Sequence, residues 1–208
     1  TKILINASLK GSVDTLRGRQ GLPSRTGEEE RITFESVSAI PATELAAFAG
    51  SHPEAYTINN ALMNLQSLHA GGVTGSGVIV AVIDSGIRPG FPHLNLDGSV
   101  IGGEDFVGDG FGFSNSANGG HGTFVAGMIS ANVLITFSIT NRFLISVTEH
   151  APDATIPPDR IPMIGSAPRS SIYAMRVFSP SGSAPTSRIL AAMDRAITLR
   201  DMHDAGTP

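Results

Sequence analysis

Cysteine is absent from the 208-residue chain. That excludes disulfides, thiol nucleophiles and thiolate metal sites, and leaves no redox compartment to be read from the composition. No stretch is long and apolar enough to span a bilayer. There is no Lys/Arg-rich run and the formal net charge is -4, so neither nucleic acid nor an anionic membrane is an expected partner. Charged residues make up only 15% of the chain against 41% hydrophobic, a balance that supports a packed core and excludes wholesale disorder. What is abundant is glycine, with 24 residues, and proline, with 13, which implies many turns and close backbone approaches. The chain starts at Thr1 without a signal-peptide pattern and stops at "DAGTP". It is read as a fragment of a longer product.

Three regions differ in texture. In residues 1–60, "TKILINAS" has period-two apolar residues and reads as a strand, "VDTLRGRQ" as a short helix and "RITFESVSAI" as a second strand. "PATELAAFAG" places Pro41 at a helix start and Gly50 at its end, and "EAYTI" reads as one more short strand. This order predicts a small α+β unit. Residues 61–76 form a junction whose Gly-rich second half is expected to be exposed. From Gly77 onward, "GVIVAVID" is nearly all apolar and β-branched, which fits a parallel strand buried on both faces. "SSIYAMRVF" is a second such strand. "TSRILAAMDRAITLRD" follows as a helix, with Thr186 or Ser187 as its cap and Ile189, Leu190, Met193 and Ile197 at helical spacing. Strands alternating with helices predict an α/β sheet. Residues 133–163 are β-prone and then Pro-rich, and are expected to form an inserted hairpin or surface excursion.

Two groups carry the chemistry. Asp84 ends "GVIVAVID", at the carboxyl edge where α/β sheets place ligands. Alone, it is equally an Asp that caps a turn. His121 lies in "GGHGTFVAGMIS", among glycines that let the backbone bend. The apolar helix that follows is expected to sit in a core. A lone histidine there is more often structural than catalytic. Together they mean more, because a base histidine needs a carboxylate to fix its tautomer and stabilise its charged form.

"VAVIDSGI", "GGHGTFVAGMIS" and "IGSAPRSSIYAMRVF" occur in the order and rough spacing of the subtilisin-like serine proteases, the subtilases of peptidase family S8, and Gly77 to about Asp201 resembles them. The resemblance implies a three-layer α/β/α domain with a mostly parallel, here incomplete, sheet. It implies that Asp84 orients the base and that His121 is general base and then general acid of a triad cleaving protein or peptide substrates. "SPSGSA" matches the edge along which such proteases hold a peptide as an added strand. Ser181, Gly182 and Ser183 would line it, and Phe178 would line an apolar subsite. Residues 1–60 resemble the subtilase pro-domain, a small α+β ferredoxin-like unit that inhibits its own protease until cut away. The maturation cut would then fall between Ile58 and Gly75. The resemblance also implies secretion.

Departures qualify the match. No Gly-Thr-Ser-Met-Ala block occurs, so the serine nucleophile and the oxyanion asparagine would lie beyond residue 208. Without a nucleophile no acyl-enzyme forms, and this chain by itself is expected to be inactive. The alternative is a catalytically inactive module that binds a peptide or acts as an inhibitor. Phe124 replaces a second family histidine that is not catalytic. In "FPHL", His93 stands where many subtilases have an Asp that helps bind structural Ca²⁺, and imidazole suits that hard ion poorly. No cofactor is therefore expected. Asp105 and Asp109 lack EF-hand spacing and read as turn residues. The glycines of "GVTGSGVIV" precede the strand, the wrong order for a phosphate loop. Asn6 begins a chance sequon. His52, His69, His150 and His203 read as surface or loop residues. A receiver-like domain with Asp84 as phosphate acceptor lacks its expected paired acids and later Lys.

Overall fold

The computed structural model describes residues 36–41, 43–47, 62–90, 98–114, 120–138 and 160–206, together with 2–3, 32–33, 60, 140–141 and 145. The chain divides into two compact units, Thr1–Ser36 with Thr136–Arg160, and Val37–Ile135 with Ile161–Pro208. In the first, β1 (Lys2–Ile3) pairs antiparallel with β2 (Ile32–Thr33). The expected elements at 13–20 and 54–58, like Asn6, His52, His93 and His150, lie outside the described residues.

The second unit carries, in chain order, β3 (Ser36–Ala39), α1 (Leu65–Ala70), β4 (Ile79–Asp84), β5 (Val100–Asp105) and α2 (His121–Ser130). It continues with β6 (Asn132–Thr136), β7 (Arg160–Ile164), β8 (Ser171–Arg176) and α3 (Thr186–Asp204). The expected strand "RITFESVSAI" is thus two short strands, β2 and β3. Neither α1 nor β5 stood out in the sequence.

The fold is α/β, built on a parallel sheet of order β4-β8-β5. Alternate residues of a strand face opposite sides, and the two sides have separate cores. On one side Val82 of β4 and Ile172 and Ala174 of β8 pack with Ala126 of α2 and with Ala131 and Ile87. On the other, Met175 and Val177 pack with Ala192 of α3, joined by Ile83, Tyr173, Ile189, Ala196 and Leu199. Helices therefore cover both faces, and β8 is the central strand because both its neighbours pair with it. The expectation that β4 is buried along both faces holds only for its carboxyl half, since Val78 and Ile79 at its start are exposed.

Both long helices correct the sequence reading. α2 is not apolar core all round: Gly122, Thr123, Ala126, Gly127 and Ser130 are buried, while Phe124 and Met128 are exposed. Small residues form its inner face because the helix lies close on the sheet. α3 has Pro185 as its N-cap with no side-chain cap bond, so neither Thr186 nor Ser187 serves. Its inner face is Ile189, Ala192, Ala196 and Leu199, whereas Leu190, Met193 and Ile197 face outward.

Residues 133–163 are expected as an inserted hairpin or a surface excursion; their two ends are neighbouring strands of one sheet, and the first part is core rather than surface. β6 is the middle strand of a second sheet, ordered β3-β6-β7, and Val133, Ile135 and Phe137 are buried. Ile40, Leu45, Leu65 and Ile164 form the cluster beside Leu134. In the junction, α1 also turns inward, burying Leu65 and His69. His69 is therefore no surface histidine: its Nε2 lies 3.1 Å from the Ser166 carbonyl oxygen. His203 is exposed, as expected.

Candidate active site

The carboxyl end of the parallel sheet sets the site. In the β4-β8-β5 register Asp84 lies beside Arg176, and Arg176 beside Asp105. The chain leaves β4 through Ser85 and Gly86, whose φ of 96° belongs to the left-handed region that glycine alone enters freely. It returns through Gly120, also left-handed at φ 81°, which starts α2. His121 is the first residue of that helix.

The imidazole Nδ1 of His121 lies 2.9 Å from both Asp84 carboxylate oxygens, across 37 residues of sequence. A carboxylate only accepts, so Nδ1 carries the proton and donates it. That fixes the tautomer with the Nε2 lone pair free for proton transfer. The Asp84 side chain is 12% exposed and that of His121 67% exposed. The carboxylate is thus shielded while the ring opens to solvent. The glycines bring the His121 backbone in against the sheet, while its ring stays accessible. Asp84 also accepts the Ser85 N–H at 2.6 Å through Oδ1. Its main-chain oxygen accepts the Val177 N–H at 2.8 Å, tying the strand end to β8.

Two neighbours, Ser85 and Arg176, were missed by sequence reasoning. Ser85 Oγ accepts the Gly122 N–H at 3.0 Å. Gly122 itself is packed so closely that an added Cβ would meet the Gly86 carbonyl oxygen and lie 3.1 Å from Asp84 Oδ1. Arg176 is fully buried, with Nη1 and Nη2 donating to the two oxygens of Asp109 at 2.6 and 2.8 Å and Nη1 also to Asp105 at 3.2 Å. This guanidinium holds the Asp109 carboxyl at about 2, below its ordinary 3.8, and is itself pushed up by Asp109. The two acids hold turns as expected, Asp105 accepting the Val107 N–H at 3.0 Å and Asp109 the Phe111 N–H at 3.3 Å, and they are also the counterions of a buried arginine. The signal was available: a lone Arg in the apolar run "SIYAMRVF" needs acidic partners if that strand is buried.

The expected peptide-binding edge follows β8. Ser181, Gly182 and Ser183 are exposed, and the loop closes on itself. Gly182 N–H donates to the Ser179 oxygen at 2.9 Å, and Ser179 N–H to the Ser183 oxygen at 3.1 Å. Phe178 is half-buried and packs on the α3 side of the sheet. Among the described residues there is no group of three or more His, Cys, Asp or Glu able to hold a metal, and no helix long and apolar enough to cross a membrane.

A family model described as the subtilase family matches residues 75–205, which include every residue of this site. Subtilisin E of Bacillus subtilis is 33% identical over 173 residues, covering 82% of this chain and 33% of that protein. Subtilisin of Bacillus pumilus is 36% identical over 134 residues, covering 64% of this chain and 37% of its own length. The crystal structure of a cold adapted subtilisin-like serine proteinase is similar over 58% of this chain and 32% of its own, at 27% identity and a TM-score of 0.37. The chain thus spans about a third of the length of the curated relatives it matches.

Proposed function

The chain belongs to the subtilase family, and from that premise we propose that it is part of a serine endopeptidase precursor that hydrolyses peptide bonds with an Asp-His-Ser triad. The observation that carries this reading is the Asp84–His121 pair, with Nδ1 at 2.9 Å from both carboxylate oxygens and a ring open to solvent. In the proposed reaction His121 Nε2 takes the proton of a serine hydroxyl as that oxygen attacks the peptide carbonyl. It then gives the proton to the leaving amine. Asp84 holds the ring and stabilises the imidazolium between the two steps. This chemistry needs side chains only, and no cofactor enters the proposal.

The nucleophile is not among these 208 residues in a Gly-Thr-Ser context, so the proposal places it in sequence outside them and takes this chain alone to be inactive. Residues 1–60 are proposed as the inhibitory pro-domain, with a maturation cut between Ile58 and Gly75, and the product as secreted. A substrate would add as a strand along Ser181, Gly182 and Ser183, with Phe178 near an apolar subsite. For Gly182 to pair with it, the turn that ties its N–H to Ser179 has to open.

The missing nucleophile favours a second reading, an inactive peptide-binding or inhibitor module. Assaying the protein that carries this chain against casein, and separately mixing it with an active subtilase, separates the two. Casein cleavage supports the endopeptidase. Absence of cleavage together with inhibition of the added subtilase supports the module and overturns the first reading.

A further inference from the structure

Helix α2 starts without a cap of its own. Its N-cap residue is Gly120, which has no side chain and makes no side-chain cap bond. The first N–H groups of a helix have no partner within it. One of them, that of Gly122, is met from outside the helix by Ser85 Oγ at 3.0 Å, across 37 residues. Ser85 is buried, at 2% exposure, so water does not readily replace that acceptor. The same residue sends its own N–H to Asp84 Oδ1 at 2.6 Å. Its backbone therefore holds the carboxylate, and its hydroxyl holds the residue that follows His121.

We propose that Ser85 is a positioning residue. It caps α2 from the β4 side and so fixes the register of the His121 ring against Asp84. The inference builds on the Asp84–His121 pair, and draws on the endopeptidase reading only for its kinetic consequence. A second tether joins the same elements, because Thr123 Oγ1 accepts the Arg88 N–H at 2.9 Å. That bond lies further along the helix and fixes neither Gly122 nor the carboxylate. It therefore serves as the comparison.

The test is NMR on the labelled protein that carries this chain, following amide exchange at Gly122 and the His121 Nδ1 proton signal. Ser85→Cys changes a single atom and replaces a good acceptor with a larger, weaker one. It is expected to speed Gly122 exchange on the order of tenfold, the scale of a lost helix cap, and to weaken the Nδ1 signal. Ser85→Thr, which keeps the hydroxyl, restores both, and Thr123→Val leaves the Nδ1 signal intact. In an active enzyme Ser85→Cys lowers kcat with KM unchanged. The proposal is overturned if Ser85→Cys leaves both signals unchanged, if it lowers only the melting temperature, if Ser85→Thr fails to restore them, or if Thr123→Val causes the same loss. The spectroscopic signals need no hydrolysis, so a protein that showed them yet left casein intact would sink the endopeptidase reading and leave this one standing.

Discussion

At Gly122 the helix that carries His121 and the strand that carries Asp84 come too close for any side chain. Alanine there would gain up to about 1 kcal/mol of helix propensity. Its methyl would press on the Gly86 carbonyl oxygen and on Asp84, and such overpacking costs about 1–3 kcal/mol. The backbone oxygen cannot swing aside, so strain wins. Gly122→Ala is expected to lower the denaturant midpoint and to weaken the His121–Asp84 bond; an unchanged midpoint would contradict the packing. At this scale the sequence was legible where the signal is local. Asp84 stood at a strand end and His121 stood among glycines. Ser85 was not legible, because its partner arrives from 37 residues away and a hydroxyl in a turn has many local uses. His69 was misread for a related reason: it is buried, and its ring nitrogen meets the Ser166 carbonyl oxygen, 97 residues distant.

Among elements, the carboxyl ends of β8 and β5 are joined by charge as well as by backbone. Arg176 on the central strand carries no exposed side-chain surface, so its two acidic neighbours neutralise a cation that could not otherwise be buried. Asp109 has its pKa lowered from 3.8 to about 2, first by the hydrogen bond from Arg176. A depressed carboxyl adds stability that is present above its unfolded value and is lost as pH falls through the folded one. Urea midpoints of the native protein and of Asp109→Asn should therefore differ near neutral pH, with the difference narrowing as pH drops from about 4 to about 2. A difference that did not shrink between about pH 4 and pH 2 would contradict the pairing. β4, β8 and α3 were legible because apolar runs and helical spacing are written within each element. The inward face of α3 was legible only at Ile189, because Ala192, Ala196 and Leu199 rather than Leu190, Met193 and Ile197 complete it. The burial of β6 was not legible because it is decided partly by β3, which comes from a distant part of the chain.

For the whole molecule, the parallel sheet gives the pair its rigidity. Asp84 is fixed by strand pairing to β8 and His121 by a helix packed on the same sheet, so the imidazole is oriented before any substrate arrives. That preorganisation is the central claim, and with it the roles of general base and orienting carboxylate. The most direct measurement is the hydrolysis of casein by the full-length protein, comparing the native sequence with His121→Ala and Asp84→Asn. The account predicts that kcat falls by about 10⁶ in the first, the loss seen for the histidine of subtilisin, and by about 10⁴ in the second, the effect of forcing the wrong tautomer on a serine protease triad. Casein cleavage that survived His121→Ala within about tenfold, far short of the loss expected for a triad base, would contradict it.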